Sequence, residues 1–183
     1  MKRTFLFFLL AILLAPIAAK SQLNQFEQVV PDELKYYKTK YDVTYTDPIE
    51  LVMKAVVKSI NDLNCQISQQ ILKPQEDGSL RGKVVSDYCV FIEGDSTLAY
   101  LQKYSLKMPF IRGGAWRTGR AQYKFTITQQ PDKTTYVILK GNISGFEHFV
   151  TQKVHFWESN GYYETKMLEL LDQNMRLLRV KSN

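Results

Sequence analysis

The chain has 183 residues, of which 24 are basic and 18 acidic, for a net charge of +6. Hydrophobic residues make up 45% and aromatics 13%, which is too rich for a disordered chain and enough for a core that needs no metal or disulfide staple. Half of the charge excess lies in the first 21 residues, which hold Lys2, Arg3 and Lys20 and no acid, so the remaining +3 is too small to mark a nucleic-acid-binding face.

Met1-Lys2-Arg3 and the apolar run over residues 4–19 predict a secretory signal peptide spanning residues 1–21. The run falls short of the roughly 20 residues that a membrane-spanning helix needs. Pro16 and the small residues Ala18, Ala19 and Ser21 suit cleavage before Lys20 or Gln22, and no cysteine follows on which a lipid is attached. The expectation is a periplasmic or secreted protein with no transmembrane segment after cleavage. Residues 22–35 read as a polar lead-in, and residues 36–183 as a single α+β domain.

Tyr37, Thr39, Tyr41, Val43 and Tyr45 alternate with polar residues and predict a half-buried first strand. Asp47, Pro48 and Glu50 then read as a capping box that opens a helix over residues 47–63, with Ile49, Val52, Met53, Val56, Val57, Ile60 and Leu63 on one apolar stripe. Residues 65–72 and 80–92 read as a hairpin turned at Asp77-Gly78, followed by a less regular stretch. A second hairpin is predicted over residues 122–128 and 134–143, and a further strand over residues 149–157. Ser159-Asn160-Gly161 opens a C-terminal helix with Tyr163, Met167, Leu170, Leu171, Leu177 and Leu178 at helical spacing. The resulting fold class is α+β: an antiparallel sheet with two helices packed on one face, in the order β-α-β(n)-α. The two apolar stripes are dense enough to fill the space over the sheet.

No residue constellation names a reaction. His148 and His155 are the two histidines, and their odd separation along a strand directs them to opposite faces, which argues against a shared metal. The chain has no nucleophile elbow, phosphate loop, His-Glu-x-x-His or Cys-x-x-Cys motif, so no cofactor and no catalytic residue is assigned. Asp77-Gly78 and Glu93-Gly94-Asp95 read as solvated turns rather than calcium ligands. Cys65 and Cys89 are a candidate disulfide in an oxidising compartment. A hairpin centred on Asp77 sets them opposite each other but also pairs Ile67 with Asp87. The register shifted by one is better for the core and separates the cysteines, while a bulge near Pro74 would reconcile the two demands.

Residues 96–131 contain no acid. Within them Arg112, Gly113, Gly114, Trp116, Arg117 and Arg120 form a candidate anion or partner site, in which unhindered backbone N–H groups are surrounded by guanidinium groups.

With its capped first helix, its antiparallel strands and the junction Trp157-Glu158-Ser159-Asn160-Gly161-Tyr162-Tyr163-Glu164, the chain resembles, over residues 36–178, the BamC-like helix-grip type of exported bacterial envelope domain. The lipoproteins of that type are acylated on an N-terminal cysteine that this chain lacks, so tethering does not carry over. The resemblance implies a non-enzymatic binding or accessory protein of the cell envelope, whose partner is an envelope protein or an anionic surface. Larger helix-grip domains of the START type imply the alternative, a carrier of an apolar small molecule or lipid between the sheet and the C-terminal helix.

Overall fold

A computed structural model describes residues 35–182. The predicted signal peptide and most of the predicted lead-in lie outside the described residues.

The elements are β1 (Tyr41–Tyr45), α1 (Ile49–Asp62), β2 (Ile67–Pro74), β3 (Leu80–Ser86), β4 (Cys89–Glu93), α2 (Thr97–Tyr104), β5 (Trp116–Gln129), β6 (Thr135–Glu147), β7 (Lys153–Glu158) and α3 (Tyr162–Ser182). They form an open antiparallel seven-stranded sheet around the long hairpin β5–β6. One half of β5 pairs with β3 and the other half with β4, while β6 divides itself between β1 and β7. The fold is α+β, with three helices where the sequence predicted two.

The alternation along β5 decides which face is the core. Ala121, Tyr123, Phe125 and Ile127 are buried, as are Val137, Leu139 and Ile143 on β6, and they meet Val52, Val56 and Ile60 of α1 and Met167, Leu171 and Met175 of α3. The helices are locked to each other by polar contacts as well. Asn174 Nδ2 donates to Ser59 Oγ at 3.0 Å and to Asp62 Oδ2 at 2.9 Å, and the Tyr45 hydroxyl of β1 ties α3 to the sheet by donating to Asp172 at 2.5 Å.

Several local expectations are corrected. β1 begins at Tyr41 rather than Tyr37. The Asp47 side chain does not cap α1: Pro48, with ψ at 146°, is the N-cap, and no side chain bonds to the free N–H groups. The carboxylate is drawn instead into a two-pronged pair with Arg179 of α3, at 2.9 Å to Nε and 2.5 Å to Nη2. A bidentate guanidinium is a stronger partner than a backbone amide.

The predicted strand over residues 80–92 is two strands. At the break, Ser86 Oγ accepts from the Tyr123 N–H at 2.9 Å and Gln122 Nε2 donates to the Ser86 carbonyl at 3.2 Å, so side chains carry the ladder across the gap. The hairpin keeps the register centred on Asp77 from Gln69 to Pro74, then slips between Ile67 and Gln69. The reconciling bulge is thus at Ser68 rather than near Pro74, and Ser68 Oγ fastens it to the carbonyls of Val85 and Ser86 at 3.1 Å each. Cys65 and Cys89 are joined in a disulfide, with Cα atoms 5.4 Å apart.

α2 lies in the stretch read as irregular, and β7 begins at Lys153 rather than at residue 149. Leu101 of α2 seats on the facing pair Gly119 and Gly145, where an added Cβ would stand 2.9 and 3.0 Å from its methyl groups. At the start of α3, Gly161 has a φ of +92°, and a Cβ there would run into the Tyr41 hydroxyl at 1.8 Å.

Candidate functional site

The predicted arginine and glycine site divides among different neighbours. Arg112, Gly113 and Gly114 share an exposed turn, closed by the Gly114 N–H on the Ile111 carbonyl at 3.0 Å. β5 starts at Trp116, so the remaining members lie on a strand rather than a glycine-rich loop. Trp116 is buried edge-on to His155 and Trp157, with ring centres 5.5 Å away in each case. Arg117 faces Asp95 at 3.3 Å, and Arg120 lies over the Tyr88 ring at 5.8 Å with Nε buried and unpartnered. The histidines are held by structure: His148 Nδ1 lies 3.3 Å from the Ala115 carbonyl, and His155 Nε2 lies 2.8 Å from Thr151 Oγ1.

The strongest concentration of charge is elsewhere, on the sheet face turned away from the helices. Registry puts Lys73 beside Arg81, Ile71 beside Lys83, Val85 beside Lys124, and Lys124 beside Lys140, all on the face opposite Tyr123 and Phe125. Arg120 belongs to the same face, four residues before Lys124 on β5. Six cations therefore share one surface, against Asp42, Glu93 and Glu158, and none of the six is in an ion pair among the described residues. Asp42 is itself engaged, accepting from the Tyr136 hydroxyl and lying 3.5 Å from Lys40. Reading each strand alone misses this face, because β2, β3, β5 and β6 contribute one or two cations each and only the register collects them. The sequence signal is the polar half of the period-two alternation, which carries Arg81 and Lys83 on β3 and Arg120 and Lys124 on β5.

The helix side is not completely filled. Ile49, Val52, Val56 and Ile60 of α1 are fully buried, as the apolar stripe predicts. Beneath the first turns of α3, a groove of about 320 Å³ opens between that helix and β4–β5, lined by Phe91, Tyr123, Tyr163, Met167 and Leu170. The expectation that the stripes fill this space is corrected here: the groove remains between the helix and the strands, with the rings of Tyr163 and Phe91 tilted against each other, centres 4.4 Å apart, and the small Ala121 in its lining.

Two carboxylates are buried with opposite consequences. Burial alone would raise the pKa of Glu147, but the N–H groups of Thr151, Ala115, Val150 and Phe149 converge on it at 2.5–3.0 Å and hold it far below the usual carboxylate range. It staples the turn after β6 to the start of β5. Glu164, covered by the sheet and given a hydrogen bond by Ser159 Oγ at 2.7 Å, has its pKa pushed up by burial.

Among the described residues no three His, Cys, Asp or Glu side chains gather as metal ligands, and no helix is long and apolar enough to cross a membrane. Compared with the models of known protein families and with curated proteins, the chain finds no match.

Proposed function

We propose that this is an exported, non-enzymatic binding protein that presents the open face of its sheet to an anionic partner in the cell envelope. The observation that carries the reading is the set of six cations, Lys73, Arg81, Lys83, Arg120, Lys124 and Lys140, on one face without an internal counter-ion among the described residues. Like charges gathered on a surface repel one another, and an anionic partner relieves that repulsion while steering its own approach. The leader pattern in the first 21 residues supports export, and the Cys65–Cys89 bond fits an oxidising compartment. The arginine turn at Arg112 stands as an extension of this basic character rather than as a self-contained anion site.

The test is retention on anionic vesicles of phosphatidylglycerol in phosphatidylcholine, and on an acidic polysaccharide, at low and moderate salt. Retention is expected to weaken steeply from about 50 to 200 mM salt as charges are screened. Substituting Lys83, Lys124 and Lys140 by Gln should abolish retention, while substituting Arg112 and Arg117 by Gln should reduce it only modestly. Equal retention by wild type and the lysine variant overturns the reading.

A further inference from the structure

We propose that the end of the open sheet face built by β4–β7 holds a saccharide subsite, which takes a uronic-acid-bearing stretch of an acidic polysaccharide. The inference rests on the basic-face reading and deepens it, because it names the anionic partner and a place where that partner is recognised by more than charge.

Three observations converge. The first is a pair of aromatic rings. Phe156 of β7 and Tyr88, the residue before β4, start from opposite margins of this half of the sheet, with β5 and β6 between them. Neighbouring strands lie about 4.8 Å apart, yet the two ring centres are only 5.6 Å from each other, so both side chains lean inward over β5 and β6. Phe156 is nevertheless 60% exposed and offers an apolar ring to solvent in the middle of a polar surface. Such a ring packs against the C–H face of a pyranose and leaves the sugar's hydroxyls free to bond at its rim.

The second observation is a pair of polar atoms without partners beside those rings. In the register Ser144 has Arg120 on one side and Phe156 on the other. Its side chain is wholly buried, although it stands on the open face, and its hydroxyl makes no hydrogen bond. Arg120 Nε is buried and unpartnered too, and the two are the buried side-chain polar atoms in that state among the described residues. Covering a hydroxyl and a guanidinium N–H in this way forfeits the bonds that water supplied. A sugar hydroxyl is both donor and acceptor, and it satisfies both atoms once the exposed Phe156 ring turns outward to another rotamer. The Arg120 guanidinium is meanwhile held over the Tyr88 ring at 5.8 Å.

The third is the mixture of charges. A shallow groove of about 430 Å³, within the range of ligand sites, opens at the ring pair, and its lining includes Tyr88, Phe156, Lys140, Asn142 and Glu158. Lys140 lies beside Lys124 in the register and suits a carboxylate, while the Asn142 amide serves hydroxyls. Glu158 is in no ion pair among the described residues and accepts only, so it calls for donors. A phosphate-rich partner brings acceptors alone and is repelled by Glu158, and a neutral sugar leaves Lys140 without a counter-ion. A uronate chain brings carboxylates and hydroxyl donors together.

The experiment is calorimetric titration of the purified protein at about 150 mM salt, where long-range attraction between exposed charges is largely screened. The probes are tetragalacturonate, its methyl ester, tripolyphosphate and an oligothymidylate. Tetragalacturonate is expected to bind, and the other three at least about tenfold more weakly, the scale of one lost aromatic or charged contact. Phe156→Ala should cost tetragalacturonate about tenfold and leave tripolyphosphate unchanged, with Phe156→Tyr restoring the binding. Lys140→Gln should bring tetragalacturonate down to the level of its methyl ester. Ser144→Ala removes a hydroxyl that has no partner in the free protein, so it should weaken tetragalacturonate without lowering the melting temperature. No saturable heat with tetragalacturonate, equal binding by Phe156→Ala, or tighter binding of tripolyphosphate or oligothymidylate overturns the proposal. If retention on anionic vesicles then still depends on Lys83, Lys124 and Lys140, the subsite alone is lost and the basic-face reading stands; loss of that dependence as well overturns both.

Discussion

Individual residues here are fixed by what surrounds them more than by their type. Glu147 reads in the sequence as one more acid near the end of a strand, yet in the fold it accepts four backbone N–H groups and the Thr151 hydroxyl. No neighbouring residue in the sequence announces this, because the Ala115 donor comes from 32 positions away. Phe149 and Val150, on the turn that the carboxylate holds, are among the most exposed apolar residues of those described. Glu147→Gln keeps the shape but offers an NH₂ where an acceptor is needed, so several N–H groups lose their partner at once. Thermal unfolding should shift down by at least a few degrees, and backbone amides of residues 149–151 should exchange faster. Unchanged exchange in that turn would show that the carboxylate is not what holds it.

At the scale of elements, those with strong local signals were legible and those defined by partners were not. The apolar stripe of α1 and the turns at Asp77-Gly78 and Asp132 stand where the sequence puts them, the two aspartates each accepting from the residue two positions on. α2 was missed because its eight residues bury only Thr97 and Leu101, leaving no periodic stripe to read, and it is the glycine pair on the sheet below that gives Leu101 its seat. The cysteine pairing was undecidable for a related reason. Two registers competed, and the bulge that settles them at Ser68 depends on a hydroxyl reaching two carbonyls of the next strand. The bond closes a loop across a sequence separation of 24 and fastens the start of β2 to β4, which otherwise pairs only with β5. Chain-entropy considerations give such a closure about 3 kcal/mol of stabilisation. Replacing both cysteines by Ala should therefore lower the melting temperature by roughly 6–12 °C for a domain of this size, measured with the single Cys65→Ala variant kept reduced. A shift under about 2 °C would mean that the two strands hold their places without the bond.

The whole molecule has two unlike faces, and only one was foreseen: the helix-covered face follows from apolar periodicity, whereas the basic face exists only once β2, β3, β5 and β6 are in register. Its response to pH is set by groups on the first of these and at the molecule's ends. Asp47, held by Arg179, and Glu147, held by backbone N–H groups, both have pKa values below their ordinary ones. Each contributes stability that is complete above the unfolded-state value near pH 4 and is lost as pH falls through the lowered value in the fold. Glu164 has the opposite sign: burial raises its pKa, so its contribution is complete below about pH 4.5 and is lost as pH rises through the raised value, where a charge must be kept under the sheet. Stability should therefore peak in mildly acidic solution, falling steeply below about pH 4 and gently toward neutrality. Arg179→Gln removes the partner that depresses Asp47, so it should lower stability at pH 7 and make the acid-side fall shallower, without altering the gentle decline assigned to Glu164. Urea unfolding of wild type and variant at pH 3, 5 and 7 measures both effects. A stability that climbs steadily from pH 5 to 8 would contradict the assignment of Glu164, and parallel acid limbs in the two proteins would contradict that of Asp47.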